Sequence, residues 1–241
     1  MVKPNSAVPS LRLPEVFEGL SPSARLSILS ASHEEEFSSG QQIFRQGEPR
    51  QKIFLLKQGL VKVSQLSQSG DEVILWLNVA GEVIGSLNYL TPTYSSTALT
   101  VQSCRVVMWR LPAFEAILDR FPVLLRNVQF IMARQIDELF SRICEASTAS
   151  TEVCLAHALI RMTDRIGRRV NDHYEVDLAQ ETLALMIGRS PFYVNRLLAM
   201  WERQGLLVPG RCRTVILDLA GLKDFAAKIH RPAYAKVDRP A

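Results

Sequence analysis

Over residues 37–111 the chain is a series of short β-type runs, each closed by a turn residue, and this limits the fold more than any other feature. The runs are "QQIF", "KIFLLKQG", "LVKVSQLS", "EVILWLN", "EVIGSLNYL", "STALTVQS" and "RVVMWRL". Gly40, Gly47, Gly59, Gly70, Gly81 and Gly85 punctuate them. β-Branched and aromatic residues favour extended backbone. Glycine turns at near-regular spacing join consecutive strands antiparallel, so the segment predicts a sandwich or barrel. "QSGDEV" predicts a hairpin with Gly70-Asp71 at its tip.

Helical spacing frames this block. Residues 1–20 read as a loose arm. Ser21-Pro22-Ser23 is a helix start, with serine at the cap and proline at the first position, and "ARLSILSASHEEEF" continues it. Pro112 opens a helix over "PAFEAILDRF", and Pro122 ends it or restarts the next. Residues 123–145 predict one long helix. Its apolar positions Leu125, Val128, Met132, Ile136, Leu139 and Ile143 step by three or four, flanked by charged residues. So narrow a seam predicts pairing with a second copy; the alternative is a helix lying on its own β domain. "ASTAST", residues 146–151, is small and polar and predicts a hinge, with Ser150 or Thr151 capping the next helix. "EVCLAHALIRMTDRIG" is that helix, "YEVDL" a short strand, and "KDFAAKI" a last helical stretch.

The chemistry is concentrated in "LAQETLALMIGRSPFYVNRLLAMWERQGLL", residues 178–207. A helix from Gln180 stops at Gly188, where a positive φ permits a tight turn. Ser190 caps a second helix and Pro191 takes its first position. Small Ala184, then a glycine, then returning Val194 and Leu197 form the pattern of a helix-turn-helix. The start of the second helix presents Arg189, Phe192, Tyr193, Asn195 and Arg196. Its N-terminal N–H groups and partial positive charge suit a phosphate. Arginine is the commonest reader of guanine, asparagine reads adenine, and an aromatic edge touches the thymine methyl. "WERQGLLVPGRCRTVIL" fits a following β-wing. The alternative is a plain helical hairpin with its aromatics in a core.

Composition sets the remaining bounds. The 241 residues are 47% hydrophobic and 22% charged, enough for two globular domains. A net charge of +4 and a pI near 9.0 are compatible with a polyanionic partner without requiring one. Cys104, Cys144, Cys154 and Cys212 form no C-x-x-C pair. The start lacks a signal-peptide apolar core, and no stretch is apolar enough to span a bilayer, so a cytoplasmic, disulfide-free protein with no membrane partner is expected.

In its order of parts the sequence resembles the Crp/Fnr family (cyclic-AMP receptor protein and fumarate–nitrate regulator) of bacterial transcription regulators. The resemblance covers residues 15–228 and rests most on "GQQIFRQGE", "IFLLKQGLVKVSQLSQSGDEVIL", "GEVIGSL" and "IGRSPFYVNRLLAMWERQGLL". It implies an α+β chain: a cyclic-nucleotide-binding-like β-roll (jelly-roll) sensor over 15–122, a dimerisation helix over 123–145, a hinge over 146–151 and a winged helix-turn-helix over 152–228. The nucleotide-binding members carry Gly-Glu and, downstream, Arg-Ser around the cyclic phosphate. The matching positions here are Gly85-Ser86 and Tyr94-Ser95, and the purine-reading pair falls on Leu139 and Phe140. A buried phosphate without a cation is costly, so cyclic AMP and cyclic GMP are not expected as cofactors. Those six positions remain the expected lining of a pocket for an unknown small molecule, or for none. The first cysteine is Cys104, His33 precedes the strand runs that begin at residue 37, and His157 lies beyond the hinge, so neither an iron–sulfur cluster nor haem is expected.

The family's base-reading Arg-Glu pair falls on Pro191 and Phe192, and only its later arginine survives, as Arg196. The resemblance therefore implies guanine contact by Arg196 and an altered half-site read by Asn195, Tyr193 and Phe192, with Gln180 and Arg189 near phosphates and the cap residue Ser190 also in the DNA-binding set. The function expected is a homodimeric regulator on a near-palindromic double-stranded operator, acting with RNA polymerase. The alternative is a ligand-independent regulator, constitutive or redox-controlled through Cys104 or Cys144. An enzyme is the remote third reading, since no catalytic motif is present.

Overall fold

The computed structural model describes residues 14–85 and 91–228. Ser86 lies outside them. The chain divides into two compact units, Met1–Val63 with Leu77–Gln135, and Ser64–Trp76 with Ile136–Ala241. The division falls inside one long helix and assigns a hairpin tip of the β region to the second unit.

In the first unit, strands β1 (His33–Phe37), β8 (Cys104–Arg110), β3 (Lys52–Gln58) and β6 (Val83–Ile84) form one antiparallel sheet in that order. A second sheet runs β2 (Gln42–Phe44), β7 (Thr97–Thr100), β4 (Leu60–Leu66), β5 (Glu72–Val79). Both faces of β3 are covered, which explains its unbroken apolar run. Ile53 and Leu55 join a core made with helices α1 (Pro22–Ser30), α2 (Leu111–Arg120) and α3 (Pro122–Thr148), while the intervening Phe54 and Leu56 are also buried. The Trp109 indole donates to Ile28 O at 2.9 Å, so the largest ring of this core has its polar atom satisfied. Gly59 makes the β3–β4 turn at φ +102°. A Cβ there would sit 2.6 Å from both Cys104 Sγ and Ser103 O, so only glycine fits.

Several expectations need correction. The arm over 1–20 is ordered by residue 15: a 3-10 turn at Glu15–Phe17 buries Val16 and Phe17, and Leu20 is also buried. Asn127 donates to the carbonyls of Val16 and Glu18, which fixes the turn on α3. α1 ends at Ser30, and "HEEEF" is strand β1 rather than helix, because its backbone pairs with β8. Its side chains have partners there too: Lys57 meets Glu34 at 2.8 Å, and Arg105 lies 3.4 Å from both Glu34 and Glu36.

The long helix differs in both length and facing. α3 runs to Thr148, not residue 145: Ala149 N–H still donates to Glu145 O at 2.9 Å, and the Ser147 and Thr148 hydroxyls donate to the carbonyls of Ile143 and Cys144. The connection expected over 146–151 shortens to Ala149 and Ser150, and Ser150 caps α4 (Thr151–Ile166) by accepting from Val153 N–H. Of the expected seam, Val128 is buried in its own unit's core with Leu124, Ile131 and Gln135, and Leu125 and Met132 pack partly against that core. Leu139 is half-buried, whereas Ile136 and Ile143 are exposed. The later half of the expected seam is open at Ile136 and Ile143, and Phe140, one turn on from Ile136, is 62% exposed beside them. Phe130, at 64% exposure, points away from that stripe.

The second unit holds α4, α5 (Gln180–Ile187), α6 (Pro191–Arg203), α7 (Leu219–Lys228) and an antiparallel sheet ordered β11 (Leu207–Pro209), β12 (Thr214–Ile216), β10 (His173–Val176), β9 (Arg168–Val170). β9 was not expected from the sequence. The core centres on Trp201, fully buried and edge-on to Phe225 at 5.4 Å. Arg142 of α3 donates to the carbonyls of Ile74, Leu75 and Met186. Among the described residues no helix is long and apolar enough to cross a membrane.

Candidate functional site

Helix α5 ends because Gly188 turns left-handed, at φ 62° and ψ 41°. Its N–H and that of Arg189 both return to Ala184 O, closing the helix. Ala184 is fully buried, where α5 and α6 approach closely. Ser190 sits at the α6 cap, its hydroxyl accepting from Tyr193 N–H, and Pro191 occupies the first turn. The inward row of α6 is Val194, Leu197, Leu198 and Trp201. Phe192, Asn195 and Arg196 face outward, and Phe192 is 79% exposed. A 79%-exposed phenylalanine at a helix start is not explained by packing within this chain.

The other expected contact residues are arranged differently. Tyr193 is half-buried: its hydroxyl donates to Glu152 Oε1 at 3.2 Å, and the Arg196 guanidinium lies 4.9 Å from its ring centroid. The backbone N–H of Glu152 and the Ser150 hydroxyl hold the Glu152 carboxyl below its usual pKa, with Tyr193 adding to this, so it is an ionised acceptor at neutral pH. Arg189 Nε donates to Thr151 Oγ1 at 3.2 Å, and its Nη1 to Gly188 O. Gln180 Nε2 donates to Gly210 O at 3.0 Å, which ties α5 to the β11–β12 turn. Ser190 is exposed beside the turn.

Ala199, Glu202 and Arg203 were missed. They are exposed on the row of Phe192, Asn195 and Arg196, and continuing the helical spacing of that row by three or four finds them. Arg211, exposed in the β11–β12 turn, was also missed. Neighbouring Arg213 is engaged, at 2.7 Å from Asp177 and 3.3 Å from Glu175.

The expected effector positions divide between the two units. Gly85 adopts φ +69° in the first. Tyr94 is buried there, its ring stacked on Phe44 at 4.0 Å and its hydroxyl donating to Lys52 O at 2.9 Å. Burial raises its pKa, so the phenol stays neutral. Ser95 is exposed in the same unit. Leu139 and Phe140 belong to the second unit, on α3. Cys104 is buried, donates to Gln102 O at 3.1 Å and has its pKa raised by burial, which works against thiolate chemistry. Cys144 and Cys212 are exposed.

Comparison with known proteins gives two matches in the same order along the chain. Residues 34–121 match the cyclic nucleotide-binding domain, and residues 155–225 match the Crp-like helix-turn-helix domain. The chain is 24% identical over 193 residues to the CRP-like cAMP-activated global transcriptional regulator of Mycobacterium tuberculosis, covering 79% of this chain and 86% of that protein. It is 23% identical over 212 residues to the cyclic AMP receptor protein of Thermus thermophilus, covering 88% and 96%. The solved structure of a CooA mutant from Carboxydothermus hydrogenoformans shares the fold, with a TM-score of 0.71, 23% identity, and coverage of 90% and 96%.

Proposed function

For a chain that belongs to the Crp/Fnr family of DNA-binding transcription regulators, we propose that function is carried by a homodimer whose two α6 helices read a near-palindromic operator. The supporting observation is the outward row Phe192, Asn195 and Arg196 on a helix whose N-terminus is capped at Ser190. Arg196 reads guanine, Asn195 reads adenine, and Phe192 lies against a thymine methyl. Arg203 and Arg211 reach the phosphates on either side. The exposed stripe of α3, with Ile136, Phe140 and Ile143, supports pairing with a second copy. A two-fold axis along it sets the two readers one helical turn of DNA apart, about 34 Å.

Control, in this reading, comes through the β-roll and passes along α3 to the short connection at Ala149 and Ser150, with RNA polymerase as the protein partner. The cyclic-AMP activation named for the mycobacterial relative does not extend to this chain. Tyr94 stands where the resemblance expects the phosphate-neutralising arginine, and its ring and hydroxyl are already engaged. The effector is then a different small molecule, or the protein works without one.

The test is selection from a random-sequence duplex pool with the purified full chain at a stated salt concentration. Enrichment of a two-fold-symmetric site supports the reading. Binding that is only salt-sensitive and sequence-independent counts against it.

A further inference from the structure

The geometry points to Tyr193 and Glu152 as positioning residues that aim Arg196 at its base, so that specificity at one operator position is set partly by the first turn of α4. This rests on the reading of α6 as the base-reading helix. Tyr193 and Arg196 stand three residues apart on α6, where side chains of one face meet. The guanidinium lies over the phenol ring at 4.9 Å, within reach of the ring's negative face. The far end of that ring is held as well, since its hydroxyl donates to Glu152 Oε1 at 3.2 Å. A hydrogen bond to an ionised carboxylate is among the stronger kinds. One residue earlier, Thr151 accepts from Arg189 in the turn before α6. Two consecutive residues of α4 thus hold the α5–α6 turn and the platform beneath Arg196.

An exposed arginine samples many rotamers, and ordering it on binding costs affinity. A ring fixed at both ends restricts those rotamers before DNA arrives. Tyr193 is half-buried and stands behind the outward row, so its contribution is to the aim of Arg196 and not to a base contact of its own.

The experiment uses the full chain and two measurements. In the DNA-free protein, the Arg196 Nε–H resonance is assigned by its loss in Arg196→Lys. It should be displaced by the ring in the wild type, and should return to the ordinary arginine position in Tyr193→Leu. Tyr193→Phe and Glu152→Ala, which remove the same hydrogen bond, should each move it partway. With the duplex selected by the wild type, and duplexes altered at single positions, Tyr193→Leu should lose about two- to fivefold of the discrimination at the Arg196 base pair. Tyr193→Phe and Glu152→Ala should each lose part of it, and the other positions and the salt dependence should not change; wild-type discrimination in both would refute the part given to Glu152. The proposal is overturned if Tyr193→Leu keeps full discrimination at that pair, or if it weakens every sequence equally. A wild type that selects no site refutes the DNA reading itself, and the stack then has a structural role only. Discrimination lost equally at all positions in Arg196→Ala would instead place Arg196 on phosphate.

Discussion

Replacing Phe140 with serine tests the self-association face directly. Phe140 is 62% exposed in the protomer, so its side chain contributes little to the stability of a single chain. Full burial of a phenylalanine stabilises by about 1.5–3 kcal/mol. Covering the exposed part against a second copy therefore contributes about 1–2 kcal/mol. A two-fold axis counts each residue twice, so Phe140→Ser should weaken the dimer by about 2–4 kcal/mol, raising its dissociation constant roughly 30- to 800-fold. Sedimentation equilibrium over a range of concentrations reads this constant, and circular dichroism of dilute protein checks that the helix content is kept. Val128→Ala is the matched control. Val128 is buried in its own unit, so this change should lower the unfolding midpoint while moving the dimer constant little. The reasoning is refuted if Phe140→Ser leaves the constant within twofold of wild type, or if Val128→Ala shifts it more.

Other expectations are equally direct. Arg196→Ala should lose about 1–3 kcal/mol on the selected operator and relax one base position, read by titration against single-substitution duplexes; uniform weakening would contradict a base contact. Cyclic AMP and cyclic GMP should show no low-micromolar heat of binding in calorimetry, and a saturable isotherm in that range would overturn the reading of Tyr94. Gly59→Ala should destabilise by about 1–3 kcal/mol in urea unfolding, because the positive φ and the contact with Ser103 O leave no room for a methyl group; an unchanged midpoint would contradict it. With an alkylating reagent at pH 8, Cys104 should react far more slowly than Cys144 and Cys212, measured by mass spectrometry of timed digests, and comparable rates would mean that the β3–β4 turn opens readily.

What could be read from the sequence follows from how local each determinant is. The break at Gly188 and restart at Ser190 were legible because a left-handed closure and a serine cap involve only residues within four positions. The run of β3 was legible because burial on both faces leaves no polar alternation. β1 was not, since "HEEEF" has little strand preference and takes its shape from β8, about seventy residues away by the register of Phe37 with Cys104. The α3 seam divides for a different reason. It is one stripe by period, and only the packed core shows that Val128 is buried in its own unit while Ile136 and Ile143 stay exposed. The contact of Tyr193 with Glu152 was not legible because the two stand 41 residues apart.

The three glutamates of β1 also bear on how copies of this chain meet. β1 is the outermost strand of its sheet, with β8 on one side. Its other side is the kind of backbone edge on which a second strand can add. Pairing β1 antiparallel with its own copy about Glu35 would set Glu34 opposite Glu36, and Glu35 opposite itself. Like charges directly opposed across strands are destabilising. Lys57 and Arg105 offset Glu34 and Glu36 only in part, and Glu35 would face its own copy, so open-ended strand addition at this sheet edge is disfavoured.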